Sequence, residues 1–163
     1  MDANTLYVLR IADACLIHGQ RLAEWCGHAP VLEEDIALTN VALDHIGQAR
    51  SLLALAGVLE GRGRDEDALA FLRAEREYRN PTALELPNGD FARTVLRSFL
   101  WASFMKVLCA ALASSTNPQL AAIAAKSLKL TASALRPMRS GSCWPRWKST
   151  PSMSMSVVAT RSV

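Results

Sequence analysis

Apolar residues recur at intervals of three and four along most of this chain, and that spacing lines one side of an α-helix while leaving the other side wet. Between Thr5 and Cys26 the pattern runs through Leu6, Leu9, Ala12, Leu16, Leu22 and Trp25. Gly27 ends it, and Pro30 opens a second helix to about Ala56, with Glu33, Glu34 and Asp35 set against the positive end of its dipole. Leu32, Ile36, Leu43, Ile46 and Leu53 form the expected apolar side of that helix, flanked by Ala37, Val41, Leu52 and Leu55. A short connection makes the pair an antiparallel hairpin.

The rest of the chain repeats this grammar. Gly57 to Gly63 reads as a turn, and Asp65-Glu66-Asp67 opens a short helix to about Tyr78 whose Arg and Glu residues point to solvent. Asn80-Pro81 and Pro87-Asn88-Gly89 bracket an extended link. Asp90 caps a third long helix from Phe91 to about Ala113, and Asn117-Pro118 starts a fourth that ends near Leu135. The fold class is therefore all-α: an antiparallel helical bundle of four long helices and one short one over residues 1–136. Beyond Arg136, Pro137, Pro145 and Pro151 interrupt a Ser-, Met- and Arg-rich run, so 137–163 is expected to be an irregular or disordered tail. At 163 residues, half of them apolar, the chain is large enough to bury one core.

Charge divides the sequence. All fifteen acids lie within residues 1–90, which carry a net −7, while residues 91–163 carry +10. The basic residues are scattered among Ala, Leu and Ser instead of clustering with aromatics, which argues against nucleic acid as a partner. Cys15 and Cys26 share one helix about 16 Å apart, too far for a disulfide, and Cys109 and Cys143 have no paired spacing. Reduced thiols, a start without signal-peptide character and the lack of about 18 uninterrupted apolar residues point to the cytoplasm and away from membranes.

A helical bundle can hold two metal ions when facing helices supply about four carboxylates and two Glu-x-x-His pairs. That set is incomplete here. His18, His28 and His45 all precede the third helix, and Glu24 and His28 are separated by the helix-ending Gly27. Asp13 and Asp44 interrupt apolar stripes and, with a turn centred near residues 28–29, fall at one level, flanked by Gln20 and Gln48. They form half a carboxylate metal site or, as the simpler expectation, a hydrogen-bonded polar network. The third helix offers Ser98, Ala102 and Lys106 inward, and Lys106 would replace a metal by neutralising the aspartates. The fourth offers Lys126, Lys129 and no ligand. Nucleophile elbows, phosphate loops and dinucleotide fingerprints are absent, and Cys15 with His18 suits core packing better than catalysis.

Several motifs carry a specific resemblance. The run Gly19-Gln20-Arg21-Leu22-Ala23-Glu24-Trp25-Cys26-Gly27-His28-Ala29-Pro30 is one; Ala42-Leu43-Asp44 with Gly47-Gln48-Ala49-Arg50 is another. Asp65 to Phe71, Pro87-Asn88-Gly89-Asp90-Phe91-Ala92 and Pro118 to Lys126 continue the series in order. Together they resemble the C-subunit family of the bacterial phenylacetyl-CoA epoxidases over about residues 5–129. The resemblance implies a ferritin-like fold and a structural, non-catalytic role beside a homologous catalytic subunit that carries the di-iron centre. It implies aerobic phenylacetate breakdown, other subunits of the complex as partners, and a homo-oligomer as a further association. It also implies that this chain has no catalytic residue, no cofactor and no metal of its own. Asp13 and Asp44 would then be vestigial ligand positions, with Gly47 where a ligand histidine would be needed and Ala102 in place of a third-helix acid. Beyond about Lys129 the chain departs from the family pattern, as a truncated or frame-shifted form would. The two other readings are an autonomous carboxylate-bridged di-metal oxidase and a helical interaction module with a basic tail.

Overall fold

In the computed structural model, which describes residues 2–139, the described residues form four long helices, two short ones and a single 3-10 turn. The long helices are α1 (Ala3–Ala23), α2 (Leu32–Glu60), α5 (Phe91–Leu112) and α6 (Pro118–Arg139), and the short ones are α3 (Glu66–Phe71) and α4 (Thr82–Glu85). The 3-10 turn spans Glu75–Glu77. Capping explains most starts. Asp65 accepts a hydrogen bond from Ala68 N at 2.7 Å and Asp90 one from Arg93 N at 2.8 Å. Asn117 Oδ1 accepts from the N–H groups of Gln119 and Leu120 at 3.0 and 3.2 Å. α6 continues past Arg136 to Arg139, and residues 140–163, most of the expected tail, lie outside the described residues.

α2 departs from expectation in three ways. It starts at Leu32, leaving Pro30 in the turn, and runs through Gly57 to Gly61, whose φ of 67° provides the left-handed cap. Gly57 is helical and buried, and a Cβ there would lie 2.3 Å from the Arg64 carbonyl oxygen, so the missing side chain admits the returning loop. The buried side is also not the one expected. Leu38, Ala42, Ala49, Leu52, Leu53, Leu55 and Ala56 face the core, while Leu32, Ile36, Leu43 and Ile46 are exposed. With apolar residues nearly all round the helix, periodicity could not choose the face.

α1 and α2 pack antiparallel. Gly19 lies against Ala42, His45 and Ile46, and Cys15 Sγ donates to Gln48 Oε1 at 3.9 Å. α5 runs antiparallel to α1, fixed by the Trp25 Nε1 hydrogen bond to Thr94 Oγ1 at 3.0 Å and the Ser98–His18 contact at 3.2 Å. α6 packs on α5 and α2. The main core draws on Val8, Leu9, Ala12 and Cys15 of α1 with Leu52, Leu53 and Ala56 of α2. Leu69, Leu84, Trp101, Met105, Cys109, Leu120 and Ala124 close it from the other helices. Burying such side chains supplies about 1.5–3 kcal/mol each before entropy is counted.

α5 alone among the described helices is long and apolar enough to cross a membrane by length and composition. Its Thr94, Ser98, Trp101, Ala102, Met105 and Cys109 side is buried in the bundle. The opposite side, with Leu96, Phe99, Leu100, Phe104 and Val107, is exposed, Val107 at 73%.

Candidate functional site

Asp13 is the most completely buried acid of the described residues, at 1% exposure, and its partner is Arg73, itself 7% exposed. Arg73 Nη1 donates to Asp13 Oδ2 at 3.1 Å, and Nη2 donates to Oδ1, a two-pronged pairing. Arg79 N adds a third donor to Oδ2 at 3.0 Å. Arg73 Nε donates to the Leu69 carbonyl, and its guanidinium stacks on the Tyr78 ring 4.2 Å from the centroid. A buried carboxylate stripped of water needs this degree of satisfaction, because an unpaired one would cost several kcal/mol.

This arrangement overturns the proposed charge replacement by Lys106. The buried positions of α5 are 94, 98, 101, 102, 105 and 109, so residue 106 is turned away and Lys106 is exposed. The cation that meets Asp13 comes instead from the segment after α3, whose basic residues were expected to be solvated. Nothing in the local pattern singles out Arg73 among its neighbours Arg76 and Arg79; only the demand of a buried acid for a cation pointed to one.

Asp13 and Asp44 do not face each other. The contacts of Cys15 with Gln48 and of Gly19 with Ala42 place Asp13 level with the region of Arg50, and Asp44 level with Gly19. The two acids are thus offset by about six residues, roughly 9 Å along the axis. The cause is the connection: residues 24–31 fold back over the first turn of α2, where Asp35 Oδ2 accepts from Gly27 N at 2.7 Å. Asp44 is half-buried, and its side chain engages no hydrogen bond or ion pair among the described residues. Gln48 is buried, and Gln20 is exposed.

A second polar group sits where α1, α2 and α5 meet. His18 and His45 contact edge to face with ring centroids 4.8 Å apart, Ser98 Oγ lies 3.2 Å from His18 Nε2, and Trp101 packs at 6.2 Å from His18. Burial lowers the pKa of His18 to about 2, with the neighbouring His45 and Arg97 adding to the effect, and lowers that of His45 to about 4. Both rings are neutral at physiological pH. Burial also pushes the Cys15 thiol up to about 12 and raises Cys109. His28 lies in the turn, its Nδ1 3.0 Å from the Cys26 carbonyl oxygen.

No group of three or more His, Cys, Asp or Glu side chains able to hold a metal ion occurs among the described residues. The donor set explains this. The buried side of α5 carries Thr94, Ser98 and Ala102, and that of α6 carries Leu120, Ala124, Ser127 and Thr131, with no carboxylate on either. Asp13 has both oxygens committed to guanidinium and backbone donors. These residues do not fit a di-metal centre.

The described residues thus form an all-α bundle whose most buried acid is sealed by an arginine. A family model described as phenylacetic acid catabolic protein matches residues 1–132, and the chain belongs to this family. The C subunit of the 1,2-phenylacetyl-CoA epoxidase of Escherichia coli strain K12 is 50% identical over 129 residues, covering 79% of this chain and 52% of that protein. The chain thus spans about half the length of the curated relative it matches.

Proposed function

We propose that this chain is a structural subunit of a multicomponent oxygenase that epoxidises the ring of phenylacetyl-CoA, with the chemistry carried by a separate catalytic subunit. Its similarity to an epoxidase subunit supplies the process. The observation that carries the non-catalytic part of the reading is the Asp13–Arg73 pair, which closes the buried α1 acid with a guanidinium where a ferritin-like catalytic chain needs an open carboxylate.

In this reading Asp13 and Asp44 are vestigial ligand positions, residues 1–136 form the bundle domain, and no cofactor is held by the chain itself. The di-iron centre resides in the partner, and the assembly works in the cytoplasm. The exposed apolar side of α5 gives a homologous helical partner a surface to cover, since so much contiguous apolar area on one helix favours association.

Mixing the purified chain with the catalytic subunit of a phenylacetyl-CoA epoxidase and following both complex formation and oxygen-dependent substrate loss tests the proposal. A stable complex that turns over, with an inert chain alone, supports it. Failure to associate at micromolar concentrations, or turnover by the chain alone, rejects it.

A further inference from the structure

Outside the bundle interior, a cleft of about 430 Å³ opens between the start of α1 and the segment after the 3-10 turn, lined by Leu6, Arg10, Tyr78, Arg79 and Asn80. That volume lies within the range of small-ligand sites. Two arginines from two different elements line it, and neither makes an ion pair among the described residues. Asp13, one helical turn from Arg10, has its oxygens committed to Arg73 and to the Arg79 backbone, so it offers little to balance them.

The other lining groups limit what enters. Tyr78 donates its hydroxyl to the Ala70 carbonyl at 2.7 Å and lies against the Arg73 guanidinium, which holds its ring in place as a wall. Leu6 supplies an apolar wall. Asn80 completes the lining, with its Oδ1 buried away from solvent.

We infer that this cleft binds a phosphorylated small molecule, with Arg10 and Arg79 gripping a phosphate or diphosphate. Guanidinium forks on two elements match the several oxygens of a phosphate better than a single carboxylate would. The buried Asp13–Arg73 pair gains a second role here as a positioning device: it ties the Arg79 backbone to α1, one turn from Arg10, and so fixes the separation of the two cations. The inference stands independently of the accessory-subunit reading.

Calorimetric titration of the full chain at low salt with ADP, pyrophosphate and adenosine tests it, against the exposed-site variant R10A/R79A, checked for helicity by circular dichroism. Saturable ADP binding, weakened about tenfold or more in R10A/R79A, is the expected result. ADP binding tighter than pyrophosphate binding assigns the site to a nucleotide-like ester, equal affinities assign it to the diphosphate itself, and adenosine binding as tight as ADP overturns the inference. Absence of saturable binding by ADP and pyrophosphate, or equal affinity in the folded R10A/R79A variant, overturns the inference.

Discussion

Arg73 reaches Asp13 across 60 positions of sequence and closes both of its carboxylate oxygens, so the acid nearest the centre of the α1–α2 hairpin works as the anchor of a distant loop. An ion pair sealed from water contributes little net stability when intact, yet either member left alone is expensive. Through Arg79 N, the same carboxylate fixes the backbone that follows the 3-10 turn.

Removing one partner of this pair is therefore predicted to be far worse than removing both. Asp13→Asn or Arg73→Met alone should cost about 3–5 kcal/mol, while the double variant should recover a large part of the loss. Urea unfolding of the three variants and the parent chain measures the coupling; additive losses would show that the pair is not a closed unit.

Acid should unfold the protein through its histidines. Because burial lowers the pKa values of His18 and His45 to about 2 and about 4, from ordinary values near 6.5, the unfolded chain binds more protons than the folded one below pH 6.5. Their contribution is fully present above pH 6.5 and is lost as pH falls toward the folded values, by about 2–4 kcal/mol between pH 7 and pH 5. Replacing His45 with Phe, whose ring fits a site where Nδ1 has no partner, should flatten this slope without unfolding the chain at pH 7. Urea midpoints at pH 7, 6 and 5 provide the test.

Thiol chemistry should separate the cysteines by position. Cys26 is exposed, whereas Cys15 and Cys109 are buried, with burial pushing Cys15 up to about 12. In a C26S variant at pH 8, the fast labelling assigned to Cys26 should disappear, and Cys15 and Cys109 should react only on unfolding. Mass spectrometry of labelled peptides identifies each site.

Gly57→Ala should destabilise by about 2 kcal/mol or more, because the added methyl would meet the Arg64 carbonyl at 2.3 Å, and that atom is backbone held by the Glu60–Arg64 pair. Gly47→Ala, where a Cβ meets nothing within 4 Å, is the control and should be neutral or stabilising. Thermal melting of both variants distinguishes a packing requirement from simple helix propensity.

Much of the fold could be read from local signals. The caps at Asp90 and Asn117 and the three-and-four spacing located the long helices within a few residues, because caps and periodicity depend on near neighbours. The ordered motifs likewise pointed to the family whose model matches residues 1–132. What local signals could not supply was relative placement. The expected face of α2 was wrong because Leu43 and Leu53 look alike in sequence although one is 61% exposed and the other 2%. The level of Asp44 depended on how residues 24–31 fold back, and the choice of Arg73 over Lys106 depended on a tertiary contact between α1 and a loop. Each is set by packing between elements.

Metal content decides most directly whether this bundle is a scaffold. The purified chain, loaded with ferrous iron without oxygen, desalted and measured by plasma emission, should retain far less than one iron per chain and show no oxo-bridged absorption after air exposure. Two irons per chain, with that absorption, would contradict the proposal that its interior is closed by Arg73.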